Sequence, residues 1–334
     1  MSAISVRGGA PSADAPPDGP SEPEPPTTRR KISRWTRFRR DWRLLAMTLP
    51  AMLLVFAFIY LPLFGNITAF EYYDYILGFW QSTWIGIQNF QALFADTNFW
   101  HALENTLVLS FVQLVLFFPI PIALAILLNS VLNSKLRALV QAIVYLPHFF
   151  SWVLVIVLFQ QMLGGAGLLN HLLLSHGMNA WNIMSDPGTF KYLVTAQAVW
   201  KEAGWGVIVF LAAIATIDPA LYEAAAADGA NRWRRTWHIT LPGMRGVIVL
   251  LLILRLGNAL NVGFEQFLVQ RFAVGSSASE VLDTYSYYYG IAANNFGLGA
   301  AAGLFKTVVS LLLVVGANKV AHLFGEDGLY RGSK

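Results

Sequence analysis

Charged and amide side chains are scarce in this sequence, and several of them lie inside long apolar runs. Six of these are candidates for a functional role: Lys201, Arg255, Asn258, Asn261, Glu265 and Lys306. On one continuous helix, the four between positions 255 and 265 would share a stripe of about 120°, at 100° per residue. A cation at the centre of a bilayer costs about 2.5–3.5 kcal/mol, so it faces protein or water and not lipid. We therefore predict that these side chains line a pathway for a polar solute.

A structural role for the same residues is the alternative. Asn258 and Asn261 are able to join helices through hydrogen bonds inside a membrane. Arg255 is able to pair with Glu265 or with a second subunit. The sequence leaves both interpretations open.

The composition excludes several classes of function. Only 13% of the 334 residues are charged and 56% are hydrophobic, whereas a soluble domain carries about 25% charged residues. The absence of cysteine excludes disulfides and thiolate metal or redox sites. The histidines lack the spacing of metal ligands, and the sequence has no G-x-x-x-x-G-K-[ST] phosphate loop. We expect no catalytic residue, metal or cofactor in this chain, and no enzymatic activity of its own.

Six apolar runs are long enough to cross about 30 Å of hydrocarbon as helices of roughly 20 residues. They are Leu44–Phe64, Thr106–Leu128, Val140–Leu163, Tyr192–Ile217, Val247–Val269 and Leu298–Phe324. Helices are the expected form because a helix pairs its own backbone polar groups, which lipid cannot do. The predicted fold class is an all-α polytopic membrane protein with six transmembrane helices.

The basic residues predict the orientation of these six spans. Most of the 23 lysines and arginines fall before the first span, after the second and the fourth, and at the C-terminal end. Loops rich in Lys and Arg stay on the cytoplasmic side of a membrane. Both termini are therefore predicted to be cytoplasmic, which agrees with an even number of spans.

Two polar tails flank the predicted membrane domain, which covers residues 44–325. Residues 1–43 begin with a proline-rich stretch that is expected to be disordered, because it has too few apolar side chains to form a core. The tail then becomes basic from Arg29 to Arg43, where its cations would meet anionic lipid headgroups. A solvated tail is the simplest interpretation, and a partner-binding polyproline segment is the alternative. Residues 326–334 are predicted to form a second cytoplasmic tail.

The connection at residues 218–242 carries the signals of a rigid helical hairpin. Asp218 is a good N-cap, and Pro219 suits the first helical position. The alanine-rich stretch that follows favours a helix, and Gly229 suits a left-handed C-cap.

The second half of this connection is basic and aromatic. Asn231 is able to cap a second short helix, which would place Trp233 and Trp237 on one face, at i and i+4. Pro242 is predicted to end it. Such a hairpin either lies in a groove of a partner and transmits a rigid-body movement, or it is a plain connector that packs on its own spans.

The same connection resembles a known family motif. Three residues separate Glu223-Ala224-Ala225 from Gly229, and nine separate Gly229 from Ile239-Thr240-Leu241-Pro242. These residues and this spacing resemble the EAA loop of binding-protein-dependent ABC importer permeases. Other stretches resemble the sugar-type branch of that family, including maltose-type and complex-polysaccharide permeases: Gly86–Phe90, Tyr145–Pro147, Val262–Gln266 and Gly303–Lys306. The resemblance covers roughly residues 45–325, and the chain is identified as a member of this family.

The resemblance implies a fold, partners and residue roles. The fold would be that of a type I ABC importer permease in the bacterial inner membrane. The partners would be a second homologous permease in a heterodimer, two ATP-binding subunits that hold ATP and Mg, an extracytoplasmic solute-binding protein, lipid and a carbohydrate, but no nucleic acid. By position, Glu223, Ala224, Ala225 and Gly229 would contact the ATPase. The residues that anchor the hairpin to the membrane would be Ile239, Leu241 and Pro242.

The charge balance suggests a substrate within this family. Three intramembrane cations stand against two acids, Glu202 and Glu265, which leaves room for an anionic guest. An oligosaccharide that contains a uronate, imported by alternating access, is the specific hypothesis. The alternatives are a permease of the same family for a polyol or glycerol phosphate, a secondary transporter driven by an ion gradient, and a membrane scaffold without transport activity.

Overall fold

The computed structural model describes residues 34–323 and 325. The predicted proline-rich stretch and the predicted tail at 326–334 lie outside the described residues, and the predicted domain boundaries stay predictions. Of the predicted tail at 1–43, residues 34–43 are described, and they are helical. The chain divides into two compact units between Tyr60 and Leu61, and each is described by itself.

The described part of the first unit is one helical segment. Helix α1 (Arg34–Val55) is followed by a π-helical turn, Phe56–Tyr60. Pro50 lies inside α1, where its missing N–H removes one backbone hydrogen bond. Membrane helices tolerate such a proline because neighbouring groups and local adjustments satisfy the freed carbonyl.

The second unit is built almost entirely of helices. Its α-helices are α2 (Leu61–Leu63), α3 (Gln88–Ala95), α4 (Thr97–Phe117), α5 (Pro119–Asn129), α6 (Ser134–Tyr145), α7 (Trp152–Leu163), α8 (Leu168–Ser175), α9 (Phe190–Ala215), α10 (Pro219–Ala227), α11 (Arg232–Arg235), α12 (Leu241–Gly243), α13 (Arg245–Gly257), α14 (Phe264–Val274), α15 (Ser276–Ser279), α16 (Leu282–Tyr285) and α17 (Phe296–Leu323). The 3₁₀ segments are Phe64–Phe70, Leu146–Phe149 and Ile183–Ser185, and the π-helical turns are Thr236–Thr240 and Ser286–Ile291. Two short strands, β1 (Glu71–Tyr72) and β2 (Thr83–Trp84), pair antiparallel, with Glu71 opposite Trp84.

Among the described residues, five helical segments are long and apolar enough to cross a membrane. They are Asp41–Phe70, Thr97–Asn129, Trp152–Ser175, Phe190–Ala215 and Phe296–Leu323. The helices Arg232–Gly243 and Arg245–Gly257 meet at a bend of 60°. Counting these two helices as one span gives a sixth. The fourth and sixth predicted spans agree with α9 and α17 to within a few residues. The second begins nine residues before its predicted start at Thr106, because Asp96 caps α4 by accepting a hydrogen bond from the Asn98 N–H.

The third predicted span, Val140–Leu163, is wrong as a continuous helix. Helix α6 ends at Tyr145, and a 3₁₀ turn follows. Helix α7 begins only at Trp152, with Ser151 as its N-cap. Pro147 lies in this turn. A proline lacks the N–H that an α-helix needs. Leu146 before it keeps helical angles, and the chain becomes extended at Phe150.

The core of the second unit is formed by close contacts between long helices. Phe99 of α4 contacts Tyr285 and Phe305, with ring centroids 5.8 and 5.2 Å apart. At Gly206 of α9, a Cβ atom would lie 2.9 Å from the Cβ of Pro121 in α5, so glycine allows these two helices to touch. Many other large apolar side chains of this unit are exposed; that of Phe111, for example, is 67% exposed. Lipid is as apolar as these side chains, so a membrane protein need not bury them.

Candidate functional site

The first limb of the hairpin forms as the sequence predicts. The Asp218 carboxylate accepts a hydrogen bond of 2.9 Å from the Ala220 N–H at the start of α10. At its end Gly229 adopts a φ of +74°, and the Ala230 N–H donates to the Ala225 carbonyl at 2.8 Å. A left-handed residue followed by this backward hydrogen bond is a Schellman motif, in which glycine avoids the strain of a Cβ atom.

The second limb is helical from Arg232 to Gly243. Asn231 caps α11 by accepting a hydrogen bond of 2.8 Å from the Arg234 N–H, and Trp233 stacks on Trp237 with centroids 6.1 Å apart. The predicted end at Pro242 is one residue early: Pro242 lies in the three-residue helix α12, and the helical stretch ends at Gly243, where the chain bends by 60°.

A hydrogen bond joins the two limbs. The Tyr222 hydroxyl lies 3.0 Å from the Thr240 hydroxyl, and Thr240 is buried. At Gly243, an added Cβ would lie 2.7 Å from the Ile217 Cδ1 atom, so the hairpin base is also closely packed. The hairpin is therefore a connected unit and not a loose loop.

The residues assigned to partner contact through the resemblance lie on accessible positions of this hairpin. Glu223, Ala224 and Gly229 are exposed, and Ala225 is half-buried. The three assigned to membrane anchoring are half-buried or exposed: Ile239, Leu241 and Pro242. The roles of these seven residues stay predictions.

The fifth predicted span is interrupted where its polar residues lie. Helix α13 ends at Gly257, and α14 begins at Phe264, after Gly263 with a φ of +118°. The predicted stripe on one continuous helix is therefore wrong. Asn258 caps the end of α13, Asn261 lies in the non-helical segment, and the exposed Glu265 lies in the first turn of α14.

Side chains of α4 bind a backbone carbonyl within this interruption and two more beyond α14. The Ser110 hydroxyl donates to the carbonyl of Ala259. The Asn105 amide donates to the carbonyls of Ser277 and Glu280 at 3.0 and 3.1 Å, just past α14. Non-helical backbone survives at membrane depth only where protein or a water-filled cavity supplies hydrogen-bond partners.

This polar face of α4 was not predicted, although the sequence carries a signal for it. Asn105 directly precedes the second apolar run, and that run contains Thr106, Ser110 and Gln113. At 100° per residue they fall within about 140° of one another, on one face of a helix. Amide and hydroxyl groups on one face of an apolar helix are typical of contacts between helices in a membrane.

The unwound segment lines a polar cavity. Its volume is about 410 Å³, and its polar lining residues are Asn258, Asn261, Asp283, Ser286, Lys306, Thr307 and Ser310. Lys306 of α17 forms an ion pair with Asp283 of α16. Asp283 was not predicted as a site residue because it lies between the fifth and sixth predicted spans. With Glu202 and Glu265 it makes three acids, so the predicted excess of three cations over two acids is wrong.

Arg255 lies beside this cavity, in the last turn of α13. Its Nη2 atom donates a hydrogen bond of 2.9 Å to the Gln113 side-chain oxygen, and its guanidinium carbon lies 5.1 Å from the Phe117 ring centroid. In these contacts the partner of Arg255 is a neutral amide of α4. The pairing with Glu265 that the sequence left open is not among them.

Lys201 lines neither the polar cavity nor the adjoining cavity beside Arg255. It is 6% exposed, and its ammonium group donates to the backbone carbonyl of His148 and to the Glu202 carboxylate, both at 2.9 Å. Lys201 thus binds the interrupted part of the third span. The structure groups Arg255, Asn258, Asn261 and Lys306 around adjoining cavities, and it does not bring Lys201 to them.

A cluster of three buried glutamines holds α14 against α9. The Gln197 side-chain oxygen accepts hydrogen bonds from Gln266 at 2.8 Å and from Gln270 at 3.0 Å. Gln266 also donates to the Val194 carbonyl at 3.0 Å. This cluster was not predicted, because Gln197 lies 69 and 73 residues before the other two glutamines and only the fold brings it to them.

A bundle of interrupted apolar helices around a polar cavity, with a rigid hairpin projecting from it, defines a membrane permease. Residues 116–322 match the family of binding-protein-dependent transport system inner membrane components. The chain belongs to this family, and it is a multi-pass transport subunit of the bacterial inner membrane.

Individual relatives share most of their length with this chain. Protein LplB of Bacillus subtilis (strain 168) is 41% identical over 91% of this chain and 96% of its own length. The polygalacturonan/rhamnogalacturonan transport system permease protein YteP of the same organism is 43% identical over 85% of this chain and 89% of its own. A chain in the crystal structure of a bacterial alginate ABC transporter, in complex with an alginate pentasaccharide-bound periplasmic protein, is 37% identical, with a TM-score of 0.80 over 89% of this chain and 99% of that chain. The predicted family and the type I permease fold are confirmed.

Proposed function

We propose that this chain is one of two permease subunits of an ATP-driven importer, and that its substrate is an oligosaccharide containing uronic acid. The observation that carries the substrate class is the chemistry of the relatives' substrates. YteP is named for polygalacturonan and rhamnogalacturonan, and the structural neighbour transports alginate. These are acidic polysaccharides, and a carboxylate is a suitable partner for the Arg255 guanidinium, which lines one of the cavities.

The polar cavity supports a carbohydrate guest. The amides of Asn258 and Asn261 offer both donors and acceptors, and the Lys306–Asp283 pair adds a charged donor and a charged acceptor. Sugar hydroxyls both donate and accept hydrogen bonds, so a lining of this kind is able to pair them. A ligand site with a few polar groups on an otherwise apolar frame is typical of protein pockets.

Coupling to ATP hydrolysis is assigned to the hairpin. We expect Glu223, Ala224, Ala225 and Gly229 to lie in a cleft of an ATP-binding subunit, where the small alanine side chains allow close approach. Two such subunits would hold ATP and Mg, a second homologous permease would complete the pathway, and a solute-binding protein would deliver the sugar. In this arrangement the hairpin and both termini face the cytoplasm.

The proposed mechanism is alternating access. Closure of the two ATP-binding subunits on ATP would bring the two coupling hairpins together and open the cavity toward the solute-binding protein. Hydrolysis would return the cavity to the inward-facing state. Each partner shifts this equilibrium only by its difference in affinity for the two states.

The alternatives are less well supported. A secondary transporter gives the stiff hairpin no role, and it does not belong to this family. A membrane scaffold does not account for the charged residues inside the spans. A polyol or glycerol phosphate substrate is not favoured by the substrates for which YteP and the alginate transporter are named.

The test is uptake by the complete complex in proteoliposomes, with its solute-binding protein and internal ATP. We expect wild-type complex to accumulate an oligogalacturonate or an alginate oligosaccharide. Glu223→Lys should abolish uptake while the chain stays in the membrane, because the reversed charge opposes docking of the ATP-binding subunit. The matched control is Glu104→Lys, which reverses an exposed carboxylate of α4. Full uptake by the Glu223 variant, or a purified complex without an ATP-binding subunit that still transports, would contradict the proposal.

A further inference from the structure

Arg255 differs from Lys201 and Lys306 in the charge of its partners. Lys201 donates to the Glu202 carboxylate, and Lys306 forms an ion pair with Asp283. The Arg255 guanidinium instead donates to the neutral side-chain oxygen of Gln113, at 2.9 Å, and faces the Phe117 ring. No carboxylate is in direct contact with the guanidinium in these contacts: Glu202, which is already paired with Lys201, attracts it only through space.

The amide nitrogen of Gln113 lacks an acceptor. Gln113 is 3% exposed, and its Nε2 atom is buried without a hydrogen-bond partner among the described residues. Reversing the amide would not help, because the nitrogen would then face the guanidinium of Arg255, which is also a donor. A buried polar group without a partner is rare in native proteins and calls for an explanation.

Arg255 and Gln113 are both lining residues of one cavity. Its volume is about 170 Å³, and most of its wall is apolar, including Leu107, Phe111 and Leu256. Asn258 and Asn261 line this cavity and also the larger polar cavity beside it. An apolar wall strengthens the electrostatic attraction of the guanidinium for an anion, because the local dielectric constant is low.

The position of Arg255 at the end of α13 explains only part of this arrangement. A cation in the last turn of a helix is stabilised by the helix dipole, which accounts for its presence inside a span. The dipole does not account for the unpaired Gln113 amide nitrogen. The dipole also gives no hydrogen-bond partner to the guanidinium, which carries five N–H groups.

We infer that Arg255 and Gln113 form a binding site for the carboxylate of a sugar acid on its way through the permease. The guanidinium presents two parallel N–H groups to a carboxylate, and the Gln113 amide supplies a further donor. The sugar hydroxyls then lie toward Asn258 and Asn261, where the larger cavity begins. This inference rests on the proposed function and names the group that selects acidic sugars.

The test compares uptake of two probes by the complete reconstituted complex. The probes are trigalacturonate and the same trisaccharide with its carboxyl groups reduced to alcohols. For each variant, the uptake of the acidic probe is divided by the uptake of the neutral probe, and this ratio is compared with that of the wild type. The comparison cancels any preference of the solute-binding protein, which is the same in every complex. The variants are Arg255→Gln, which removes the charge, and Gln113→Glu, which places a carboxylate of nearly the same shape beside Arg255. Lys319→Gln, at an exposed position of α17, is the control.

We expect both site variants to lower the ratio by about tenfold or more, since a hydrogen bond between charged groups is lost. Arg255→Lys should recover part of the loss, because it keeps the charge without the paired geometry, and Lys319→Gln should keep the wild-type ratio. An equal fall in uptake of both probes would mean that Arg255 is balanced by a carboxylate of the second permease or serves only the fold, and it would overturn the inference. The same holds for an unchanged ratio. If the wild type imports the neutral probe and no uronate oligosaccharide, the proposed substrate class itself fails.

Discussion

The ammonium nitrogen of Lys201 lies 2.9 Å from the backbone carbonyl oxygen of His148, in the turn that interrupts the third span. A helix that stops inside a membrane leaves carbonyl groups without partners, and lipid cannot supply them. Lys201 supplies one such partner, and Glu202 balances its charge. A lysine inside an apolar run therefore stabilises an interruption of a neighbouring span.

Replacing Lys201 by methionine should destabilise the subunit. The variant leaves the His148 carbonyl without this donor and Glu202 without its cation, and an unsatisfied buried group costs about 1–3 kcal/mol. We expect a lower midpoint of thermal unfolding for the purified complex in detergent, with an unchanged preference between acidic and neutral sugars. Lys319→Met, at an exposed position, should keep the wild-type midpoint. An altered sugar preference in Lys201→Met would instead indicate that Lys201 contributes to the substrate pathway.

Gly204→Ala should disturb the contact between α9 and the end of α6. An added Cβ at this position would overlap the carbonyl oxygen of Val144 and meet the Tyr145 backbone. Backbone atoms cannot move aside as a flexible side chain does, so the helices must separate. We expect a lower yield of folded complex in size-exclusion chromatography. The control is Gly316→Ala in α17, where an added Cβ meets no atom within 4 Å; a comparable loss in that variant would show that the close contact is not the cause.

Tyr222→Phe should loosen the coupling hairpin without unfolding it. It removes the hydrogen bond of 3.0 Å to Thr240 that joins the two limbs, which is worth about 0.5–1.5 kcal/mol. We expect more ATP to be hydrolysed for each sugar imported, since a less rigid hairpin transmits movement less faithfully. Thr240→Val should have the same effect, and the double variant should be no worse than either single one. Additive effects would show that the two side chains act separately.

The three buried glutamines should respond differently to partial and complete replacement. Gln197→Leu leaves the amide groups of Gln266 and Gln270 without their shared acceptor, so a cost of about 1–3 kcal/mol is expected. Replacing all three by leucine leaves no glutamine amide in this network unsatisfied. The midpoint of thermal unfolding of the triple variant should therefore be closer to the wild-type midpoint than to that of Gln197→Leu. A triple variant less stable than the single one would indicate that the cluster is required as a whole.

Local chemistry explains why the hairpin could be predicted from the sequence. Asp218, Gly229 and Asn231 act on backbone groups within three residues or supply a local backbone angle, and each takes the predicted position. The apolar runs that became α9 and α17 were equally readable, because the need to pair backbone groups in lipid leaves few structures other than a helix.

The interruptions of the third and fifth spans were not predictable in the same way. Composition marks both as single apolar runs, and even Pro147 alone does not tell whether a membrane helix will kink or stop. The Ala259 carbonyl, just past the end of α13, is bound by Ser110 of α4, which lies 149 residues earlier in the chain. That contact is a property of the packed helices.

The sequence by itself determined the membrane class, the family and the hairpin, because these follow from composition and from contacts between near neighbours. Only the tertiary structure decided the roles of the polar residues inside the spans. It separated Lys201 from the cavity, paired Lys306 with Asp283, and set Arg255 beside Gln113. A charge inside a membrane must find a partner, and which partner it finds is decided by helices that are distant in sequence and adjacent in space.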